Sequence, residues 1–222
     1  TNINYKTISA IIRIGERKAE KIRAQPYNET KLKEKLQEIK GLSLKKYQEY
    51  IPELEQQLAN LGIVLVCIPG FSKTGVQGIS KWLSKDKAMI ILKASGQNEK
   101  TGQNEDKFWF NLYHELGHLI LHGKKQTFID LKDEVDTKEE KEANEFATNQ
   151  LIPGFKESDL DKYIYNGAIS AEKAIEGEAK RYKISKSIIA GQLSYLFSDR
   201  QKNVYSVLSK YKNMINYNNC LS

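Results

Sequence analysis

Lys107-Phe108-Trp109-Phe110-Asn111-Leu112-Tyr113-His114-Glu115-Leu116-Gly117-His118-Leu119-Ile120-Leu121-His122 is the stretch from which the rest of this chain is read. Phe108, Trp109, Phe110, Leu112, Tyr113, Leu116, Leu119, Ile120 and Leu121 leave almost no polar face, the pattern of a helix buried on all sides. Such a helix cannot casually carry His114, Glu115 and His118, because an unpaired polar or charged group in a core costs several kcal/mol. Core histidines satisfied by ordinary hydrogen bonds are the plain alternative. Against it, the chain has only three histidines, His114, His118 and His122, and all of them lie here. His114-Glu115-Leu116-Gly117-His118 spells His-Glu-x-x-His, in which one helical turn brings both imidazoles to one metal ion and leaves the glutamate beside it as a base.

Catalytic zinc takes three protein ligands, so a third must come from elsewhere. On a continuous helix His122 stands about 12 Å along the axis from His114, too far to share an ion. The pattern that recruits a third histidine needs a glycine turn after the second, whereas Gly117 precedes His118. His122 therefore reads as the end of the helix, where partial positive charge is favoured. The better source is Lys138-Glu139-Glu140-Lys141-Glu142-Ala143-Asn144-Glu145-Phe146-Ala147. Ala143, Phe146, Ala147 and Leu151 form its apolar stripe; Glu139 and Glu140 flank that stripe, while Lys141, Glu142 and Glu145 read as a solvated face. Glu140 is the first choice, with Asn144 one turn on to hold its carboxylate, and Glu139 the second.

The other elements follow from periodicity and punctuation. Helices are expected near 7–23, 31–39 after the capping run Asn28-Glu29-Thr30, and 43–60. Strands are expected at 63–68, 76–83 and 88–92, the last two joined as a hairpin through Ser84-Lys85-Asp86-Lys87. Residues 95–106 read as a loop, with Asn104 or Asp106 capping the helix after it. Residues 124–137 read as a loop anchored by Phe128 and Ile129. Helices follow near 138–151, 157–165, 170–183 and 185–197, the last two with Ser170 and Ser185 as caps, and a short one near 204–211. This order predicts an α+β fold, a small three-stranded antiparallel sheet packed on the central helix with helices before and after. Residues 1–60 form an N-terminal helical segment and 61–222 the functional domain.

Composition narrows the partners. With 40% apolar and 28% charged residues, the chain fits one globular domain or a domain with a helical annex. Its 35 Lys and Arg against 28 Asp and Glu give +7, yet the lysines are scattered among glutamates, which argues against nucleic-acid binding through this chain alone. Cys67 and Cys220 make no disulfide framework, which fits a reducing compartment. The apolar runs are short of a membrane span and no signal peptide opens the chain, so it is expected to be soluble and cytoplasmic. The opening Thr1 fits a fragment or a processed form and leaves upstream domains open.

Phe108 to Gly123, followed by Glu140-Lys141-Glu142-Ala143-Asn144-Glu145-Phe146-Ala147 and Leu151-Ile152-Pro153, resembles the ImmA/IrrE metallo-endopeptidases. The likeness extends more weakly to Trp82-Leu83 and to Arg181 through Leu193. The resemblance implies a zincin-like fold, a Zn²⁺ held by His114, His118 and Glu140, and Glu115 as the group that takes a proton from water and passes it to the leaving amine. It implies a protein substrate, such as a DNA-binding repressor or other regulator. The alternative it carries is a non-proteolytic sensing or interaction domain of a transcription regulator, or an antitoxin with a toxin partner. Tyr113, Tyr163, Tyr165, Tyr182 and Arg181 are candidates for stabilising the oxyanion. One departure stands out: the family frequently has Gly-Arg-Leu near its end, whereas this chain has Gly191-Gln192-Leu193.

Overall fold

A computed structural model describes residues 5–69, 75–94, 103–124, 127–131, 137–155, 171–196, 211 and 214–215. In chain order these form α1 (Tyr5–Lys21), α2 (Glu29–Gly41), a 3-10 turn (Leu42–Leu44), α3 (Tyr47–Asn60), β1 (Ile63–Pro69), β2 (Val76–Ser84), β3 (Lys87–Ala94), β4 (Gln103–Asn104), α4 (Glu105–Leu121), β5 (Thr127–Leu131), α5 (Lys138–Leu151), α6 (Ala171–Tyr182), α7 (Lys186–Leu196) and β6 (Met214–Ile215). The architecture is mixed α+β. The expected helix at 157–165, all but the last residue of the one at 204–211, the cap Ser170 and residues 95–102 of the expected 95–106 loop lie outside the described residues, while 103–106 form β4 and the start of α4 rather than loop. No described helix is long and apolar enough to cross a membrane.

The sheet differs from expectation in two ways. It has four strands in the order β1-β3-β2-β5, and it is mixed rather than antiparallel. The hairpin between β2 and β3 forms, but β3 inserts between β2 and β1 and runs parallel to β1. The reason is visible in Ala88-Met89-Ile90-Ile91-Leu92, which is apolar on both faces and buried throughout, as an inner strand must be. The second difference is β5, which pairs antiparallel with β2 inside the stretch expected to be a loop. At five residues among charged neighbours it is too short for alternation to separate it from a loop.

Both faces of this sheet are covered. On one, Ile8, Ile11 and Ala19 of α1 meet Val64, Val66, Met89 and Ile91. Gly15 permits the close approach, since a Cβ there would come within 2.3 Å of Ile91 Cδ1. On the other, Ile63, Leu65, Ala88, Ile90 and Leu92 pack against Phe108, Trp109, Leu112 and Leu116 of α4, and α2, α3, α5 and α7 join the same core. Each large side chain so buried contributes about 1.5–3 kcal/mol.

Two contacts help to position α5, one against α4 and one against α2. Gly117 admits it, since a Cβ there would stand 3.1 Å from Phe146 Cδ1 and 3.3 Å from the Ala143 Cα. At its far end the buried Lys40 of α2 donates from Nζ to the carbonyls of Gln150 and Leu151 at 3.0 and 3.3 Å, satisfying acceptors that a helix C-terminus leaves open. Asn104 occupies the cap position of α4 without a side-chain capping bond, and Asp106 lies within its first turn.

Candidate metal centre

His114 and His118 lie one turn apart on α4, 2% and 0% exposed. Glu140 reaches them from the first turn of α5, where Thr137 Oγ1 accepts the Glu140 N–H at 3.2 Å. Thr137-Lys138-Glu139-Glu140 is a capping-box pattern, whose glutamate normally folds back on the N–H of the cap residue. Glu140 points across to α4 instead, with Oε2 3.1 Å from His114 Nε2 and Oε1 3.3 Å from His118 Nε2. The two Nε2 atoms are 2.9 Å apart. Glu139 is not part of this group.

Two metal bonds of about 2.0–2.1 Å at a tetrahedral angle place their donor atoms roughly 3.3 Å apart, so a triangle with these edges fits one small divalent ion. The donor set of two imidazoles and a carboxylate suits zinc chemically. Electrostatics agree. Burial opposes charge on His114, but Glu140, Glu115 and Asp130 outweigh it and carry the pKa up to about 9. Burial would raise Glu140, yet hydrogen bonds with His114 and His118 hold it down at about 2. Burial lowers His118, and His114 and His122 add to that against the pull of Glu140. The pocket favours positive charge beside an ionised carboxylate.

Outer contacts hold the ligand rings. Asn144 Oδ1 accepts from His114 Nδ1 at 2.9 Å. Asn144 was expected to hold Glu140; one turn deeper along α5, it meets the far side of the His114 ring instead. His118 is stacked on Phe128 of β5, with centroids 4.3 Å apart, and its Nδ1 lies 2.9 Å from His122 Nδ1. His122 ends α4 as expected and stays outside the donor triangle.

Glu115 is fully buried, and neither carboxylate oxygen makes a hydrogen bond of good geometry, although the Ser80 hydroxyl faces it from β2. Burial pushes its pKa up to about 8, with Asp130 and Glu140 adding to the rise and His114 and Ser80 opposing it. Gly78 of β2 makes room for it: a Cβ there would stand 2.2 Å from Glu115 Oε1. Across the ladder from Gly78 lies Asp130 of β5, next to a bulge in β2. One potential ligand atom of Asp130 falls within 4.8 Å of those of His114 and Glu115. Burial raises the Asp130 carboxyl too.

Gly78, Ser80 and Asp130 were missed from sequence. The available signal was the small residues Gly78 and Ser80 on either side of Ile79 in an expected strand; Asp130 sat in the stretch read as loop. Among the oxyanion candidates, the Tyr113 hydroxyl donates to the Leu36 carbonyl inside the core and is turned away from the centre. Tyr182 packs beside Phe155, and Arg181 lies over its ring and pairs with Glu178. Tyr163 and Tyr165 lie outside the described residues.

Residues 99–194 match the Peptidase_M78 family, the IrrE N-terminal-like domain. The resemblance to ImmA/IrrE metallo-endopeptidases is thereby borne out by an independent comparison. The Peptidase_M78 match begins ahead of α4, ends within α7, and contains His114, Glu115, His118 and Glu140. It supports a metallopeptidase-like domain built on this centre. No curated protein matches the chain.

Proposed function

We propose that this chain is a zinc-dependent endopeptidase of zincin-like fold that cuts a regulatory protein, with a DNA-binding repressor as the substrate class. The observation that carries the reading is the fully buried Glu115 carboxylate, faced by the Ser80 hydroxyl, beside His114, His118 and Glu140. A purely structural centre has no use for such a group, whereas a hydrolase needs a base there.

His114, His118 and Glu140 would hold the ion. Bound there, zinc supplies a Lewis acid for the scissile carbonyl and makes water acidic enough to lose its proton near neutral pH. Glu115 accepts that proton and returns it to the departing amine, and its burial keeps it basic enough to do so. Asn144 and His122, on the outer ring nitrogens, keep both Nε2 atoms turned inward. β5, the outermost described strand beside His118, offers backbone groups to which an extended substrate adds.

The competing reading is a regulator or antitoxin module that binds metal and cuts nothing, which Gln192 in place of the family's arginine favours. Elemental analysis is expected to find zinc in the parent chain and none after the double change His114→Ala, His118→Ala; undiminished metal would sink the centre. Glu115→Gln is expected to keep the metal and to lose cleavage by roughly 10²–10⁴-fold. The assay is incubation of the zinc-loaded chain with proteins encoded beside its gene, followed by mass spectrometry. Zinc uptake without any cleavage favours the regulator reading.

A further inference from the structure

His118 is held by a chain of contacts that ends at the protein surface. Its Nδ1 lies 2.9 Å from His122 Nδ1, and His122 Nε2 lies 3.0 Å from Glu142 Oε2. The other oxygen of Glu142 faces Lys138 Nζ at 3.5 Å. The placement of protons along this chain follows from what each group can do. An ionised carboxylate only accepts, so His122 Nε2 carries a hydrogen and donates it to Glu142. A neutral imidazole has one N–H, which leaves a lone pair on His122 Nδ1 to accept. His118 Nδ1 must then donate, and the His118 lone pair is left on Nε2, the atom that faces His114 and Glu140.

We propose that His122 and Glu142 are positioning residues for the metal centre: together they set the tautomer and ring orientation in which His118 binds an ion. This rests on reading His114, His118 and Glu140 as that centre. The two histidine ligands are thus held by different means. His114 donates to the neutral amide of Asn144, whereas His118 donates into a relay that terminates on a carboxylate, which makes its Nε2 the stronger donor. Phe128, stacked on His118 at an interplanar angle of 11°, fixes the remaining rotation of the ring. The relay also gives Glu142, which sequence assigns to a solvated face and whose side chain is 41% exposed, an effect on a buried centre.

The test is zinc affinity by chelator competition, together with ring-nitrogen NMR shifts of His118 in the metal-free chain. His122→Leu is expected to weaken zinc about 10–100-fold, the usual cost of removing the partner of a ligating histidine. His122→Asn, whose Oδ1 still accepts from His118 Nδ1, is expected to recover most of that loss. Glu142→Gln weakens zinc by less and moves His118 from the Nδ1–H tautomer toward a mixture; as a surface change it carries the test if His122→Leu folds poorly. Parent-like affinity in His122→Leu and Glu142→Gln with an unchanged tautomer overturns the proposal and leaves the metal reading standing. A parent chain that takes up no zinc brings down the metal reading, and this proposal with it.

Discussion

On the α1 side of the sheet the packed side chains are apolar, and at the rim Lys81 Nζ meets Glu16 at 2.6 Å and Lys87 Nζ donates to the carbonyls of Ala19 and Ile22 at 2.7 Å. On the α4 side the packing of Trp109, Leu112 and Leu116 runs directly into His114, Glu115 and His118, and the Glu115 oxygens and Ser80 Oγ are buried facing one another without a hydrogen bond of good geometry. β2 shows the switch residue by residue. Ile79 joins the α1-side core and Lys81 pairs with α1, while Gly78 and Ser80 face Glu115. A protein that only had to fold would finish both faces alike; under the proposed function, the unequal finish marks where stability is given up for chemistry.

The largest effect expected on this comparison comes from the apolar part of the α4 side. Trp109→Ala removes the largest fully buried side chain and is expected to cost about 3–5 kcal/mol in denaturant unfolding. On the α1 side, Ile91→Val is expected to cost about 0.5–1.5 kcal/mol. Equal losses would mean that the core is not centred on α4.

The polar part of the same face predicts the opposite sign. Glu115→Gln exchanges a buried ionisable carboxyl for a neutral amide, so the metal-free variant is expected to gain about 1–3 kcal/mol while cleavage is lost. If Glu115→Gln is instead destabilising, the carboxylate is a structural group and the contrast between the faces fails. The glycines sharpen the point. Gly78→Ala drives a methyl into Glu115, and Gly15→Ala drives one into Ile91. Each is expected to cost about 1–2 kcal/mol as overpacking, but only Gly78→Ala is expected to reduce cleavage.

How much of this was legible in the sequence divides along the same line. α4, α5 and the trio His114, His118 and Glu140 were readable because a 3.6-residue period and a His-Glu-x-x-His spacing act within one element, and because Glu140 flanks an apolar stripe. What lay between elements was not. The parallel pairing of β1 with β3 depends on which strand lies inside, and a hairpin reading cannot settle that unless Ala88 to Leu92 is taken as apolar on both faces. Asp130 and Phe128 reach the centre only because β5 pairs with β2, a contact without local periodicity. Asn144 was paired with Glu140 from sequence and meets His114 instead: helical spacing tells which residues share a face of α5, and not which atom of α4 stands opposite.

The smallest expected effect concerns the other carboxylate in the comparison. Hydrogen bonds from Lys81 and Arg13 hold Glu16 below its ordinary pKa of 4.5. A carboxyl whose folded pKa is depressed stabilises the fold above the unfolded value, and that contribution is lost as pH falls below about 4.5 through the folded value. Glu16→Gln is therefore expected to cost about 0.2–1 kcal/mol at neutral pH, less in high salt because the pair is near the surface, and nothing measurable in strong acid. Glu115→Gln should stabilise where Glu16→Gln destabilises, although both exchange one glutamate for glutamine against the same strand. Unfolding curves of the two metal-free variants at neutral pH decide it: opposite signs support a sheet with one face arranged for stability and one for chemistry, and matching signs remove that distinction.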